Sequence, residues 1–277
     1  MTQTLPQPHE VGALYDKLTL SAMRDGDFNT NVHIGYWDSP ESTATIEEAM
    51  DRLTDVFVER LQVDPSSHVL DLGCGVGGPG LRLAVRTGAR VTGISVSAEQ
   101  IRTANGLAAE TGLAARVAFE HADAMDLPFQ DQAFDAVMAL ESICHVPDRD
   151  RVFREISRVL RPGGRVVLTD IFERHPRKEV RHPGIDKFCR DLMCTTADID
   201  DYVPMLHRAG LRLRRIVDIT EHSTLRLADE IMKLGGAEER PVAMDEGNFD
   251  FSDDAFTPAD LSGVDDFGCL LAVAVRP

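Results

Sequence analysis

The stretch HVLDLGCGVGGPG, residues 68–80, decides the fold of this chain. It begins as a short apolar strand over 68–72 and continues into a glycine-rich turn. Glycine allows the backbone to turn sharply and to approach a ligand with no side chain in between. A helix that begins near Pro79 would point its free N–H groups at the same ligand. The stretch therefore predicts a site for a nucleotide-like cofactor at the end of the strand.

The turn also matches the dinucleotide pattern G-x-G-x-x-G at Gly73, Gly75 and Gly78. A dinucleotide site normally has an Asp or Glu at the end of the second strand to hold the ribose, whereas the second strand here ends in Ser95. The first strand carries its own acid, Asp71, two residues before the first glycine. This arrangement favours a cofactor with a cationic amino-acid head and no pyrophosphate.

Strand-like and helix-like patterns alternate along the rest of the chain. After a helix at 46–61 and the strand at 68–72, the pattern predicts strands at 90–95, 116–120, 134–139 and 164–169, with helices at 98–110 and 149–160. A helix at 199–209, a strand at 211–219, a helix at 224–234 and a strand at 268–275 follow. Such alternation predicts an α/β fold with a doubly wound, mostly parallel sheet.

Five further motifs carry a family resemblance. They are HIGYWD (33–38), HADAMDLPF (121–129), FDAVMALE (134–141), HVPDR (145–149) and LRPGGRVVLTD (160–170). In the glycine turn and the last four of these motifs, the chain resembles the class I S-adenosylmethionine-dependent methyltransferases over residues 60–175, and the upstream HIGYWD is shared with the small-molecule branch of the class. Within the class it is most similar to small-molecule enzymes of natural-product pathways, such as the rebeccamycin sugar O-methyltransferase and the geranyl diphosphate C-methyltransferase.

The resemblance implies a Rossmann-like sheet of seven strands, of which the last is antiparallel. It also implies S-adenosylmethionine as cofactor and S-adenosylhomocysteine as product. We predict an N-terminal lid and helices over 1–62, a cofactor-binding core over 63–175 and an inserted substrate cap over 176–210. Residues 211–277 then complete the same domain.

The residues that match the family's cofactor site are Tyr15, Asp71, Gly73, Gly75, Gly78, Ser95, Gln100, Asp123, Ala124, Met125 and Glu141. The resemblance implies that the cofactor's amino group lies near the Gly73 carbonyl, with Asp71 one layer behind. It implies that Ser95 and Gln100 bind the ribose hydroxyls, in place of the acidic residue that is commoner in the class.

The remaining matches each have a structural alternative. Asp123 corresponds to the acid that bonds the adenine amino group, with Ala124 and Met125 beside the ring, but it could cap a turn instead. Glu141 corresponds to an acid at the floor of the site and could equally cap a helix. Tyr15 lies in a predicted lid helix, where a ring beside a sulfonium gains cation–π attraction, and could otherwise be a surface residue.

The chemistry of the acceptor determines which further residues are needed. An alcohol must lose its proton, which calls for a general base. His145 and Asp170 are predicted at the ends of adjacent strands, at the sheet edge that faces the ligand. The sugar-methylating relative has two successive histidines where this chain has Cys144 and His145, so the resemblance is broken at the first of them. The HVPD run is also a helix-start element in the class, which leaves a structural role open for His145.

Methylation of an electron-rich alkene needs no base and produces a carbocation that aromatic rings stabilise. Cys144 and the aromatic residues Trp37, Phe172, Phe188 and Tyr202 are the candidates for contact with the acceptor, although each aromatic residue can also be core packing. We rank O-methylation of a hydroxylated secondary metabolite or glycoside first, C-methylation of an isoprenoid-type alkene second and N-methylation third. A protein that binds the cofactor without catalysis is a minor alternative.

Composition and charge exclude several classes of partner. The chain has 277 residues, of which 43% are hydrophobic, enough for one large domain. A net charge of −17 repels nucleic acid and anionic membrane surfaces. The chain has no long apolar run, and its polar N-terminus does not resemble a signal peptide, so we expect a cytoplasmic protein with a small-molecule acceptor. Exchange of the lid helix between subunits would allow a homo-oligomer.

The five cysteines are odd in number and irregularly spaced. Cys189 and Cys194 lie near each other in sequence, but no second pair of ligands accompanies them. Reduced thiols are the favoured interpretation, and no metal is expected to take part in the reaction.

Overall fold

The computed structural model describes residues 5–25, 29–174, 181–233, 256–261 and 264–277. The first part of the predicted cap, 176–180, lies outside the described residues. The division of the chain into lid, core, cap and C-terminal part stays a prediction.

The centre of the fold is a mixed sheet. Its strands are β1 (His68–Leu72), β2 (Arg90–Ser95), β3 (Val117–His121), β4 (Phe134–Ala139), β5 (Leu160–Glu173), β6 (Ala197–Asp198), β7 (Arg212–Asp218) and β8 (Phe267–Val275). Seven of them lie in the order β3-β2-β1-β4-β5-β8-β7, and the short β6 pairs with the end of β5. Strands β1 to β5 pair in parallel, whereas β8 is antiparallel to β5 and β7. The mostly parallel sheet and its antiparallel last strand are confirmed; β6 was not predicted.

Eight helices accompany the sheet in the described part of the chain. They are α1 (Pro8–Asp25), α2 (Ile46–Leu61), α3 (Gly78–Thr87), α4 (Ala98–Glu110), α5 (Arg149–Val159), α6 (Pro183–Asp191), α7 (Ile199–Arg208) and α8 (Thr224–Lys233). A capping box starts α2, because Thr45 and Glu48 each accept a hydrogen bond from the other's backbone N–H. None of the described helices has the length and apolarity that crossing a bilayer requires.

Both faces of the sheet are covered, as a doubly wound fold requires. Alternate residues of β1 point to opposite faces, so Leu70 and Val69 belong to different apolar clusters. On one face the sheet packs against Phe153 of α5 and Leu206 of α7. On the other it packs against Phe57 of α2, together with α3 and α4. This arrangement leaves the carboxyl ends of the parallel strands uncovered by the two helical layers.

β5 is much longer than the predicted strand at 164–169, since it spans 14 residues and ends at Glu173. The reason is its antiparallel partner: every residue of β8 is buried, and the pairing of the two strands continues to Glu173. Asp170 therefore lies within the strand, paired opposite Leu270, and not at its end as the sequence suggested.

A buried ion pair ties β5 to α5. Arg149, the first residue of α5, donates from Nε to one Asp170 oxygen at 2.7 Å and from Nη2 to the other at 2.9 Å. The same guanidinium donates to the hydroxyl and the carbonyl oxygen of Thr195, in the connection between α6 and β6. Tyr202 of α7 completes the group by donating its hydroxyl to Asp170 at 3.0 Å. One side chain thus joins a core strand, a core helix and the segment inserted after β5.

Arg149→Met should lower the free energy of unfolding by about 3–5 kcal/mol, because it leaves the Asp170 carboxylate buried without a countercharge. The side chains of Arg149 and Asp170 are only 10% and 0% exposed. Urea unfolding followed by circular dichroism measures the loss.

Arg208→Met is the matched control, because the Arg208–Asp150 pair is 55% and 33% exposed and should cost less than about 1 kcal/mol. The double variant Arg149→Met/Asp170→Leu should recover part of the loss, since no charge is then buried. Equal losses in the two single variants would contradict this role of the Arg149 pair.

Candidate active site

A cavity opens at the carboxyl ends of β1, β2 and β4. This is the edge at which open α/β sheets bind ligands. The predicted site residues that line it are Tyr15, Gly73, Gly75, Ser95, Gln100, Asp123, Ala124, Met125, Glu141 and His145. The topology therefore brings most of the predicted cofactor residues to one place.

The glycine turn forms one wall. Gly73 has a φ of +78°, and a Cβ there would lie 2.2 Å from the Cβ of Ser142, so no other residue fits this position. Ser142 donates its hydroxyl to the carbonyl of Leu72 at 2.6 Å, which holds the end of β1 to the segment after β4. Gly78 does not line the cavity; its Cβ would lie 2.2 Å from the carbonyl oxygen of Thr30, so it allows that segment to pack closely.

Asp71 lies behind the turn and is 1% exposed. One of its carboxylate oxygens, Oδ2, is buried without a hydrogen-bond partner. Burial raises the pKa of Asp71 to about 7. A buried, unpaired carboxylate oxygen is costly, and a cationic ligand near the turn would offset part of that cost.

Ser95 and Gln100 form a hydrogen-bonded pair at the end of β2. The Ser95 hydroxyl donates to Oε1 of Gln100 at 2.8 Å, and both residues line the cavity. The backbone N–H of Gln100 donates to the hydroxyl of Ser97, which is the N-cap residue of α4. This bond fixes the position of the Gln100 backbone in the first turn of the helix. The pair presents hydroxyl and amide groups, which can both donate and accept hydrogen bonds.

Asp123, Ala124 and Met125 follow β3 and line the cavity as well. Asp123 accepts the backbone N–H of Met125 at 2.8 Å through Oδ1. Asp123 therefore caps this turn, which was the structural alternative for the residue. The hydrogen bond also holds the Asp123 carboxylate at the cavity wall.

Helix α1 covers the cavity through contacts that the sequence did not reveal. Asp16 accepts hydrogen bonds from the Ser97 hydroxyl at 2.6 Å and the Glu99 N–H at 3.0 Å, at the start of α4. A Cβ at Gly12 would lie 2.4 Å from the carbonyl oxygen of Val96, so the helix packs against that backbone. A glycine inside a helix was the available signal of this close approach. The contacts place Tyr15, predicted in a lid, over the cavity.

Glu141 anchors the HIGYWD segment. Both of its carboxylate oxygens accept the N–H of Ile34 at 3.1 Å, and its own N–H donates to the Thr169 hydroxyl at 2.9 Å. Its backbone is left-handed, with φ of +49°, at the sharp turn after β4. Burial raises the pKa of Glu141 to about 8.

His145 is held from both sides. Its Nδ1 lies 3.2 Å from the carbonyl oxygen of Met193, which can only accept, and 3.5 Å from Sγ of Cys194. In the tautomer that satisfies this carbonyl, Nδ1 carries the proton. Its Nε2 then accepts from the Tyr15 hydroxyl at 2.8 Å. Burial raises the pKa of Tyr15, which keeps the phenol protonated as the donor. The Nε2 lone pair therefore faces the lid at the cavity wall.

Asp170 does not reach the cavity, which contradicts its assignment as a catalytic base. Its two oxygens are occupied by Arg149 and Tyr202, and it is 1% exposed. The cause is its position within β5 and not at the strand's end. Cys144 is also buried, and its Sγ lies 3.9 Å from that of Cys194.

The four aromatic residues that were predicted to contact the acceptor lie outside this cavity. Trp37 is 1% exposed and donates its indole N–H to Ala44. Phe172 is fully buried in the sheet's core, as is Tyr202. Phe188 packs edge-on against Phe256 and Phe267, with ring centroids 5.2 and 5.1 Å away. Each is core packing, which was the alternative explanation at every one of these positions.

The cavity's chemistry fits the predicted cofactor. It offers hydroxyl and amide groups at the end of β2, a carboxylate after β3 and an unpaired buried carboxylate oxygen behind the glycine turn. These groups suit a ligand that carries ribose hydroxyls, an amino-bearing purine and a cationic amino acid.

Relatives agree with this chemistry. Residues 70–168 match the family described as "Methyltransferase domain". A protein described as "Methyltransferase GfsG" from Streptomyces halstedii is 43% identical over 217 residues, which is 77% of each chain. The chain belongs to the class I S-adenosylmethionine-dependent methyltransferases. Its cofactor is S-adenosylmethionine.

Two further comparisons place this methyltransferase among related proteins. The 27-O-demethylrifamycin SV methyltransferase of Amycolatopsis mediterranei is 38% identical over 227 residues, 79% of this chain and 80% of that protein. The crystal structure of the [4+2]-cyclase SpnF superimposes with a TM-score of 0.77 at 30% identity, over 99% of this chain and 98% of that one. The methyltransferase fold thus matches along almost the whole chain.

The raised pKa of Asp71 gives a prediction for the cofactor-free methyltransferase. From about pH 4 to about pH 7 the unfolded carboxyl loses its proton while the folded one keeps it, so the wild type should lose stability as pH rises. Asp71→Asn should not show this loss, because the amide has no proton to lose. Relative to the wild type, its free energy of unfolding should therefore rise by a few kcal/mol between pH 4 and pH 8, at about 1.4 kcal/mol per pKa unit. Chemical denaturation across that pH range measures the difference.

Asp126→Asn, which removes an exposed carboxyl, is the control for the loss of one acidic group. A difference between Asp71→Asn and the wild type that does not change with pH would show that the buried carboxyl keeps an ordinary pKa.

Proposed function

We propose that this methyltransferase transfers a methyl group to a hydroxyl oxygen of a small-molecule natural product or its sugar, with His145 as the proton acceptor. The observation that carries the proposal is the environment of the imidazole, whose Nδ1 faces the Met193 carbonyl while Nε2 is an acceptor at the cavity wall. This is the tautomer that a general base needs.

The bound cofactor supplies an electrophilic methyl group, and alignment of the reacting atoms supplies much of the rate. The acceptor's hydroxyl must lie within hydrogen-bonding distance of the base that takes its proton. In our proposal the acceptor hydroxyl displaces the Tyr15 hydroxyl as donor to Nε2, and α1 closes over both. The lid then excludes water that would compete for the base.

The cofactor assignments form part of the same proposal. Ser95 and Gln100 bind the ribose hydroxyls, and Asp123 binds the adenine amino group beside Ala124 and Met125. The Gly73 carbonyl binds the amino group of the methionine part, and the unpaired Asp71 oxygen attracts that positive charge from behind. Glu141 orders the 33–38 segment at the floor of the cavity.

Transfer to oxygen is favoured over transfer to carbon. The Amycolatopsis relative is named for an O-demethylated natural product, 27-O-demethylrifamycin SV, which supports a hydroxyl acceptor. A carbocation would need aromatic rings around it, and among the described residues Tyr15 is the one phenyl-type ring that lines the cavity. C-methylation of an isoprenoid-type alkene is therefore the second candidate.

One structural relative is named a [4+2]-cyclase, an activity other than methyl transfer. A protein that binds the cofactor without transferring its methyl group is the minor alternative. We further propose that the enzyme works in the cytoplasm on a small-molecule acceptor and not on nucleic acid, and that it can form a homo-oligomer through its lid helix.

His145→Gln should lower kcat by about 10²–10⁴-fold, the usual contribution of a general base, and should leave the affinity for the cofactor within a few-fold of the wild type. The assay offers hydroxylated aglycones, glycosides and prenylated compounds together with methyl-labelled S-adenosylmethionine, and mass spectrometry locates the label. Tyr15→Phe should retain turnover to within about tenfold, since the phenol donates to the base and is not the base.

His207→Gln is the control, because His207 is exposed on α7 and lies outside the cavity. Label on oxygen that disappears only in the His145 variant supports the proposal. Label on carbon with an active His145→Gln variant would replace it by the alkene-methylating alternative, and no label on any acceptor would favour a protein that only binds the cofactor.

Gln100→Leu should weaken binding of S-adenosylmethionine by about tenfold, because a lost hydrogen bond to a buried polar group costs about 1–3 kcal/mol. Isothermal titration calorimetry measures the change. Gln130→Leu, at an exposed position, should bind as the wild type does. Unchanged affinity in Gln100→Leu would remove the proposed ribose contact.

A further inference from the structure

We propose that Cys144, His145 and Cys194 form a binding site for a thiophilic divalent cation such as Zn²⁺, on the side of the imidazole away from the cavity. The ligand atoms of the three residues all lie within 4.8 Å of one another. Two thiolates and one imidazole are ligands that zinc prefers, and three protein ligands with one open position is the usual arrangement of a reactive zinc site. The reaction itself does not require this ion.

Two of the three spacings between the ligand atoms match tetrahedral coordination. With Zn–S near 2.3 Å and Zn–N near 2.0–2.1 Å, the edges of a tetrahedron are about 3.8 Å between two sulfurs and about 3.6 Å between sulfur and nitrogen. The Sγ atoms of Cys144 and Cys194 are 3.9 Å apart, and the Cys194 Sγ lies 3.5 Å from Nδ1 of His145. These two distances are close to the corresponding edges of the tetrahedron.

The surroundings hold both cysteines in place. The Thr195 N–H donates to the Cys144 carbonyl at 2.7 Å, and the Cys194 N–H donates to the Cys189 carbonyl at 2.9 Å. Arg149 fixes Thr195 from the other side. Both thiols are buried, whereas His145 lines the cavity, so the ion would enter by way of the imidazole.

Charge and proton balance are favourable. Binding of a divalent cation releases one proton from each thiol and gives a neutral group of two thiolates and one cation. No net charge is then buried, which avoids the main penalty of an ionic site in the interior. The imidazole remains neutral, but its proton moves from Nδ1 to Nε2, because the metal occupies the Nδ1 lone pair.

This shift of the proton connects the site to catalysis, a step that rests on the function proposed above. Nε2 becomes a donor and can no longer accept the proton of an acceptor hydroxyl. The ion would therefore inhibit O-methyl transfer reversibly, without competing for the cofactor or the acceptor. A chelator restores the free lone pair.

The experiment is a titration of the full-length protein, purified metal-free in a non-thiol reductant, with Co²⁺ as a spectroscopic probe for the zinc site. Binding should produce a thiolate-to-cobalt charge-transfer band that Zn²⁺ abolishes by displacement. Cys144→Ala and Cys194→Ala should each weaken Zn²⁺ binding roughly 100-fold or more, since even the loss of a residue that only supports a ligand costs 10–100-fold. The two separate variants guard against misfolding of either one.

Cys269→Ala is the matched control, because Cys269 is a buried thiol of β8 outside the cluster. The Cys269→Ala variant should bind Zn²⁺ as the wild type does. Zn²⁺ should raise the melting temperature of the wild type and of Cys269→Ala, but not that of Cys144→Ala or Cys194→Ala. The absence of a charge-transfer band, or equal Zn²⁺ affinity in Cys194→Ala and the wild type, would overturn the site. If Zn²⁺ binds at the cluster and methyl transfer continues, the metal site stands but the role of His145 as base is contradicted.

Discussion

The Arg149–Asp170 ion pair is the contact on which the geometry of this enzyme depends. A charge buried in the sheet has to be neutralised, so Asp170 fixes the position of Arg149 at the start of α5. The remaining donors of the guanidinium then fix Thr195, whose N–H holds the Cys144 carbonyl. The backbone at Cys144, next to His145, is thus tied through Thr195 and Arg149 to one residue in the middle of β5, so an acid at this position supports the site without lining the cavity.

The parts that could be predicted from the sequence depend on local rules. The turn at Gly73 follows from a backbone conformation that only glycine adopts readily, and the helix behind it follows from the same few residues. Ser95 and Gln100 are five residues apart, so the strand end and helix start that bring them together are both short-range features. Parallel strands separated by helices then place these residues at one edge. The cofactor side of the cavity is therefore largely visible in the sequence.

The acceptor side of the cavity is not visible in the sequence, because it depends on contacts between distant segments. Asp170 was placed at a strand end because the apolar run stops there, but pairing with β8, a strand about a hundred residues later, extends β5 past it. The sequence does not show whether an aromatic side chain faces the core or the cavity, since residues of both kinds look alike in sequence. This applies to Trp37, Phe172, Phe188 and Tyr202. Cys194 and Met193 follow α6, some fifty residues after His145, and nothing in their spacing connects them.

Cys144 stands where the resemblance implies a histidine in the sugar-methylating relative, and this difference has a physical consequence for His145, the proposed base. In a His–Asp dyad the carboxylate both orients the imidazole and stabilises its protonated form. Here a neutral carbonyl, that of Met193, orients the ring, and the Asp170 carboxylate is committed to Arg149. Burial lowers the pKa of His145, but neighbouring Cys144, the Met193 carbonyl and Glu141 together raise it above its usual value, so the imidazole is aimed without the partner carboxylate of a dyad. Such a site works best on a hydroxyl that is already acidic or closely aligned with the methyl donor, which makes the fit of the acceptor under α1, and not the strength of the base, the main determinant of rate.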